Sequence, residues 1–240
     1  MKKWLLGLMI GCGLAFAQEA TILTASDGLK VYSSFYPAVG RAKATVLAFH
    51  QAGSNKSEYA TIAPRLTKLG FNVLALDQRS GGSNSDGKNE TIENAGGKQY
   101  GYLETLPDLE AALEFAKTDE RTKGGKLIAW GSSYSSSLVF LLAQKHPEIK
   151  AVMAFSPSDS YLEKSGLVFE AAKTLRASVF IACTSSEVTD AKNIFKLVPH
   201  KNKVLFVPKG IGFHGSSALN LPLSSKEYWA ATEQFLNWFK

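Results

Sequence analysis

Residues 126–140 read KLIAWGSSYSSSLVF, and the fold turns on them. Residues 126–130 form a short apolar run of strand length, and from Ser136 onward apolar residues return at the three-and-four spacing of a helix. Between the two lies only the tight stretch Gly131-Ser132-Ser133-Tyr134-Ser135. A strand that turns so sharply into a helix lifts its middle residue above the sheet, where a hydroxyl can be reached by a base and a substrate. That residue is Ser133. Gly131 and Ser135, two positions to either side, are small enough for strand and helix to approach, and the positive helix end favours negative charge. Taken alone, the string also fits a serine-rich helix cap in which Ser132, Ser133 or Ser135 satisfies free N–H groups.

The alternation continues in both directions. Short apolar runs predict strands over 45–50, 72–77, 126–130, 151–155, 178–183 and 203–207, and amphipathic segments predict helices over 59–69, 106–118, 136–146, 190–197 and 226–239. Asp108, Glu110 and Glu114 crowd the early turns of the second helix, the end that favours carboxylates. Upstream, two β-rich runs between Ala20 and Tyr36 flank Ser26-Asp27-Gly28, a hairpin signal. The expected class is α/β: a doubly wound, mostly parallel sheet flanked by helices, with an N-terminal antiparallel hairpin. In such a sheet, chemistry sits at the carboxyl ends of the strands.

Composition agrees with one globular domain: 240 residues, 45% hydrophobic and 20% charged, with 2 Cys. A core of that size needs no metal or cross-link. The opening MKKWLLGLMIGCGLAFAQEA has two Lys, an apolar run and Ala15-Phe16-Ala17 before Gln18, which reads as a signal peptide over 1–17 ahead of a single domain over 18–240. Export to the periplasm or outside the cell follows. The rival reading is a lipoprotein box, Met9-Ile10-Gly11-Cys12, with Cys12 carrying a lipid anchor. No apolar run has the length of a permanent membrane span. Losing Lys2 and Lys3 lowers the formal charge from +6, and the remaining basic residues are scattered among carboxylates, which argues against a nucleic-acid partner.

The residues after the other strands supply partners for Ser133. His50-Gln51-Ala52-Gly53 follows the run at 45–50, a small-residue loop whose N–H groups can face an oxyanion; Gln51 is the expected donor there and Tyr134 the second. His50 itself reads as a brace for that loop. Glu187 follows the run at 178–183, with Asp190 in reserve and Asp159 a third choice, and His214 stands in the Gly-flanked loop after 203–207. Ser, acid and His in that order suit delivery by successive strands. Arg79, in DQRSGG, can hold an anionic group or can pin the loop with Asp77; 80–99 reads as a polar surface excursion.

These segments, HQAG, LDQRSGGSN, GSSYS, HPEIKAVMAFSP and GFHGSSAL, resemble the α/β-hydrolase superfamily over nearly the whole mature chain, and within it the small dienelactone-hydrolase-like and esterase-like members. The resemblance implies Ser133 as nucleophile, Glu187 as acid, His214 as base, and an oxyanion hole from the backbones of Gln51 and Tyr134. Two departures stand out: Ser135 replaces the usual second Gly, and Glu187 the commoner Asp. The implied reaction is hydrolysis of small esters or lactones through an acyl-enzyme, needing neither metal nor cofactor. The connection between Ser156 and Leu175 leaves room for a minimal cap, and Tyr161 and Phe213 are the expected substrate-lining residues. A monomer or small homo-oligomer is expected. The alternatives are a peptidase-like amide hydrolase of the same fold and an inactive binding protein that has kept the fold.

Overall fold

A computed structural model describes residues 18–240; the expected leader, including Cys12, lies outside the described residues. Eight strands form one sheet: β1 Glu19–Thr24, β2 Lys30–Tyr36, β3 Ala44–Phe49, β4 Phe71–Leu76, β5 Lys126–Ser132, β6 Ile149–Phe155, β7 Ser178–Ala182 and β8 Lys203–Phe206. Their order is β1-β2-β4-β3-β5-β6-β7-β8. β1 pairs antiparallel with β2, and β2 with β4; every other pairing is parallel. The hairpin forms where its turn residues dictate, with Gly28 at φ +87°, a conformation open to glycine at little cost.

The helices are α1 Ala63–Lys68, α2 Glu90–Asn94, α3 Leu106–Thr118, α4 Tyr134–Lys145, α5 Leu167–Thr174, α6 Val188–Leu197 and α7 Ser225–Leu236. Alternate residues of the buried strands feed two cores. Leu47, Phe49, Leu74, Ala129 and Val152 face α3 to α6, whereas Val46, Ala48, Val73, Trp130 and Met153 face α1 and α7. This two-sided burial is why the parallel strands read as continuous apolar runs. Trp130 stacks on Phe155 with ring centroids 4.7 Å apart, at the centre of the sheet directly below the turn that carries Ser133.

Three expectations change. The helix expected over 59–69 divides into a 3-10 turn, Lys56–Tyr59, and α1. Asn55 caps the first through Ser57 N–H, and Pro64, which lacks an N–H, sits in the first turn of α1. The polar excursion contains α2, capped by the Asn89 side chain, and its buried Thr91 accepts the Tyr32 N–H of β2. The stretch expected to form a minimal cap contains α5, which buries Val168, Ala171 and Ala172 in the core; Asp159 accepts the Val168 N–H at its start. Residues 156–166 remain between β6 and α5 to border the strand ends.

Candidate active site

The turn from β5 into α4 is a close approach of backbones. A Cβ at Gly131 would lie 2.3 Å from the Ser135 carbonyl oxygen and 2.5 Å from the Ser136 nitrogen, so any side chain there would push the helix off the strand. Ser133 sits at the apex with φ 55° and ψ −125°, unusual for a residue with a side chain, and its N–H donates to Phe155 O at 2.9 Å. Ser135, at the position usually given to Gly, has a use here. Its hydroxyl donates to His50 O at 2.6 Å and accepts from Gln78 Nε2 at 2.9 Å, joining the turn to the loops after β3 and β4.

Three loops converge on Ser133. His214 Nε2 is 2.8 Å from Ser133 Oγ, and His214 Nδ1 is 2.5 Å from Glu187 Oε1. The second oxygen, Oε2, accepts the Thr184 N–H at 2.9 Å and the Ser156 hydroxyl at 2.7 Å. Burial works against the charge of Glu187, but these donors together with the His214 ring outweigh it and hold the carboxyl down at about 2. An ionised Glu187 takes its proton partner from Nδ1–H, which leaves Nε2 to accept from Ser133. The other two carboxylates lie elsewhere: Asp190 accepts from Ser158 Oγ, and Asp159 from the start of α5.

Of the two N–H groups expected to meet an oxyanion, the structure leaves one free and engages the other. The Tyr134 N–H, at the first residue of α4, has no carbonyl one turn back to bond. The Gln51 N–H is engaged: it donates to Glu58 Oε2 at 2.8 Å, which removes Gln51 as the expected donor. The next N–H, that of Ala52, has no partner among the described residues and is half-buried in the same loop. Glu58 is 6% exposed, and its other oxygen has no hydrogen-bond partner among the described residues. Burial raises its pKa. Nothing in the sequence singles out Glu58, and the shift from Gln51 to Ala52 follows from it.

His50 is fully buried, with Nδ1 bonded to Gln51 O at 2.8 Å and Nε2 accepting the Gln78 N–H at 2.9 Å. Burial pulls its pKa to about 4 against the opposing pull of Gln51 O and Asp77, so it braces the loop as a neutral ring. Arg79 is saturated by Asp108 and Asp27 and pins the loop after β4. Tyr161 presents its ring edge-on to His214, centroids 6.2 Å apart, while Phe213 packs against the core under α7. The Tyr134 ring is buried and stacks on Tyr102 at 4.2 Å. A cleft of about 310 Å³, lined by Gly53, Ser80, Gly81, Tyr100, Tyr102 and Glu163, runs beside the loop after β3. A second, of about 230 Å³, borders Tyr161, Glu187 and Asp190. Among the described residues, no three His, Cys, Asp or Glu side chains group so as to hold a metal ion, and no helix is long and apolar enough to cross a membrane.

A family model described as serine aminopeptidase, S33, matches residues 40–200. The chain belongs to this α/β-hydrolase family. No curated protein matches it. The S33-family chain shares its fold with an esterase from Pyrococcus furiosus, at TM-score 0.73 and 17% identity over 98% of this chain and 95% of that one. A dienelactone hydrolase from Anabaena variabilis superposes at TM-score 0.72 and 13% identity, over 92% and 97% of the two chains. An acylaminoacyl peptidase from Pyrococcus horikoshii does so at 0.68 and 11%, over 92% of this chain and 41% of its own. At these identities the likeness is one of fold.

Proposed function

We propose that this S33-family hydrolase cleaves small carboxylic esters or lactones through an acyl-enzyme on Ser133. The observation that carries the reading is the unbroken line of hydrogen bonds from Ser133 Oγ through His214 to Glu187. As Oγ attacks the carbonyl carbon, His214 Nε2 takes its proton, and the ionised Glu187 stabilises the imidazolium that forms. Charge gathering on the carbonyl oxygen is met by the N–H groups of Tyr134 and Ala52; loss of one such donor costs roughly 10²–10³ in rate in comparable chemistry. His214 then returns the proton to the leaving alcohol, the acyl–Oγ bond remains, and the same ring deprotonates the water that frees the acid. In a lactone the leaving alcohol stays tethered to the acyl group.

The clefts of about 310 and 230 Å³ fall at or below the small end of ligand pockets, which favours short acyl and alcohol groups. Amide hydrolysis is the second reading, because the family takes its name from aminopeptidases. The test is a series of p-nitrophenyl esters of increasing chain length beside amino-acid p-nitroanilides, on the parent and Ser133→Ala. Short-chain ester turnover that vanishes in the variant is expected; equal turnover by both proteins defeats the assignment. A fluorophosphonate probe is expected to label Ser133, and folded protein that stays unlabelled favours a binding role. With residues 1–17 read as a leader, the enzyme is exported. N-terminal sequencing of protein recovered outside the cytoplasm is expected to begin at Gln18, and a lipidated Cys12 is the opposing result.

A further inference from the structure

β6 is followed directly by a second serine with left-handed backbone, Ser156, at φ 60° and 2% exposed. Its N–H donates to Ala182 O of β7 at 2.7 Å, continuing the ladder by one residue. Its hydroxyl does two things at once: it donates to Glu187 Oε2 at 2.7 Å and accepts the Gly215 N–H at 3.0 Å. A backbone N–H can only donate, so the one hydroxyl proton must go to the carboxylate, and the group has a single orientation. Glycine would adopt this backbone with little strain, whereas a side chain costs on the order of 1 kcal/mol or more there. The hydroxyl is what serine adds at that cost.

We propose that Ser156 is a positioning residue that sets the distance between the acid and the base. One oxygen atom touches the carboxylate of Glu187 and the residue that immediately follows His214, so it couples two loops delivered by different strands, β7 and β8. The adjacent N–H, that of Ser216, is held separately by Ser132 Oγ at 2.8 Å, and Ser216 Oγ in turn accepts from Trp130 Nε1 at 2.9 Å. The base loop is thus fixed to the ends of β5 and β6 through consecutive N–H groups, and only the Ser156 contact also reaches the acid. Glu187 has a further need of this contact: its chain is one methylene longer than that of Asp, and the second oxygen requires two donors, Thr184 N–H and Ser156 Oγ, to fix its plane.

The inference rests on Ser133, Glu187 and His214 acting as proposed above. Ser156→Gly removes the hydroxyl and relaxes the backbone; Ser156→Ala removes the hydroxyl and keeps the strain. Both are expected to lower kcat for p-nitrophenyl acetate by roughly 10- to 100-fold with KM little changed, the scale of a misplaced catalytic group. The Ser156→Gly protein is expected to melt no lower than Ser156→Ala. The downfield proton resonance of His214 Nδ1–H is expected to shift or broaden in both. Parental kcat and an unmoved resonance in Ser156→Gly would overturn the proposal, as would a kcat loss that merely follows the melting temperatures. Ser133→Ala, run alongside, separates the two readings: if it retains turnover while the Ser156 variants still move the His214 resonance, it is the function that fails and the positioning contact that stands.

Discussion

Glu58 and Glu187 are both carboxylates drawn out of water near Ser133, and their surroundings send them in opposite directions. Glu187 has three hydrogen-bonding partners and is held at about 2, below its ordinary 4.5. Its contribution to stability is therefore complete above pH 4.5 and fades as pH falls toward 2. Glu58 accepts the Gln51 N–H and has the Ser132 and Ser54 hydroxyls beside it, but burial outweighs these and raises its pKa above 4.5, so what it contributes is present at low pH and lost as pH rises through the raised value. Glu58→Gln keeps an oxygen for the Gln51 N–H and removes the ionisation, with the Ser54 and Ser132 hydroxyls, which ease the burial of Glu58, near its amide. Urea denaturation is expected to show Glu58→Gln more stable than the parent at pH 7 and equal to it near pH 4. Glu58→Ala strands the Gln51 N–H and is expected to cost about 1–3 kcal/mol at both.

At the scale of elements, Arg79 ties three pieces of chain together. It follows β4, its guanidinium and its own N–H bond Asp108 in the first turn of α3 at 2.7–2.9 Å, and it reaches Asp27 in the β1–β2 turn. Asp108 is fully buried, while Asp27 is 47% exposed. Breaking the buried half leaves a guanidinium without its main partner in a dry site, so Asp108→Ala is expected to cost about 3–5 kcal/mol. Asp27→Ala removes an ion pair that water already screens and is expected to cost at most about 1 kcal/mol. The midpoints of urea denaturation of the two variants check the contrast, and near-equal losses would contradict it.

For the whole molecule, what could be read in advance was whatever repeats locally. β3 and β4 are buried along their full length and appear as apolar runs, and α3 spans the residues its spacing predicts. The positions of Ser133, Glu187 and His214 were readable because each stands just past such a run. Features decided by contacts between distant segments were not. Ala52 replaces Gln51 as the free donor because Glu58, seven residues further along, takes the earlier N–H. Ser156 looks like any serine until its backbone angle and two partners are known. α5 carried a signal, Val168, Ala171 and Ala172 at helical spacing with Leu175 just beyond, within a segment expected to form only a minimal cap.

The line from Ser133 to Glu187 joins residues far apart along the chain, His214 standing 81 residues after Ser133. Each of those contacts closes a loop whose entropy must be met before the contact can repay it. The β5–α4–β6 unit, which packs Ala129, Leu138 and Val152 into one core, is local by comparison and can collapse early. Catalytic competence is therefore a late event in folding: that unit can form while the protein is still inert, and turnover returns only when β7 and β8 dock and bring their loops to the end of β5, the same step that closes the bond from Trp130 Nε1 to Ser216 Oγ.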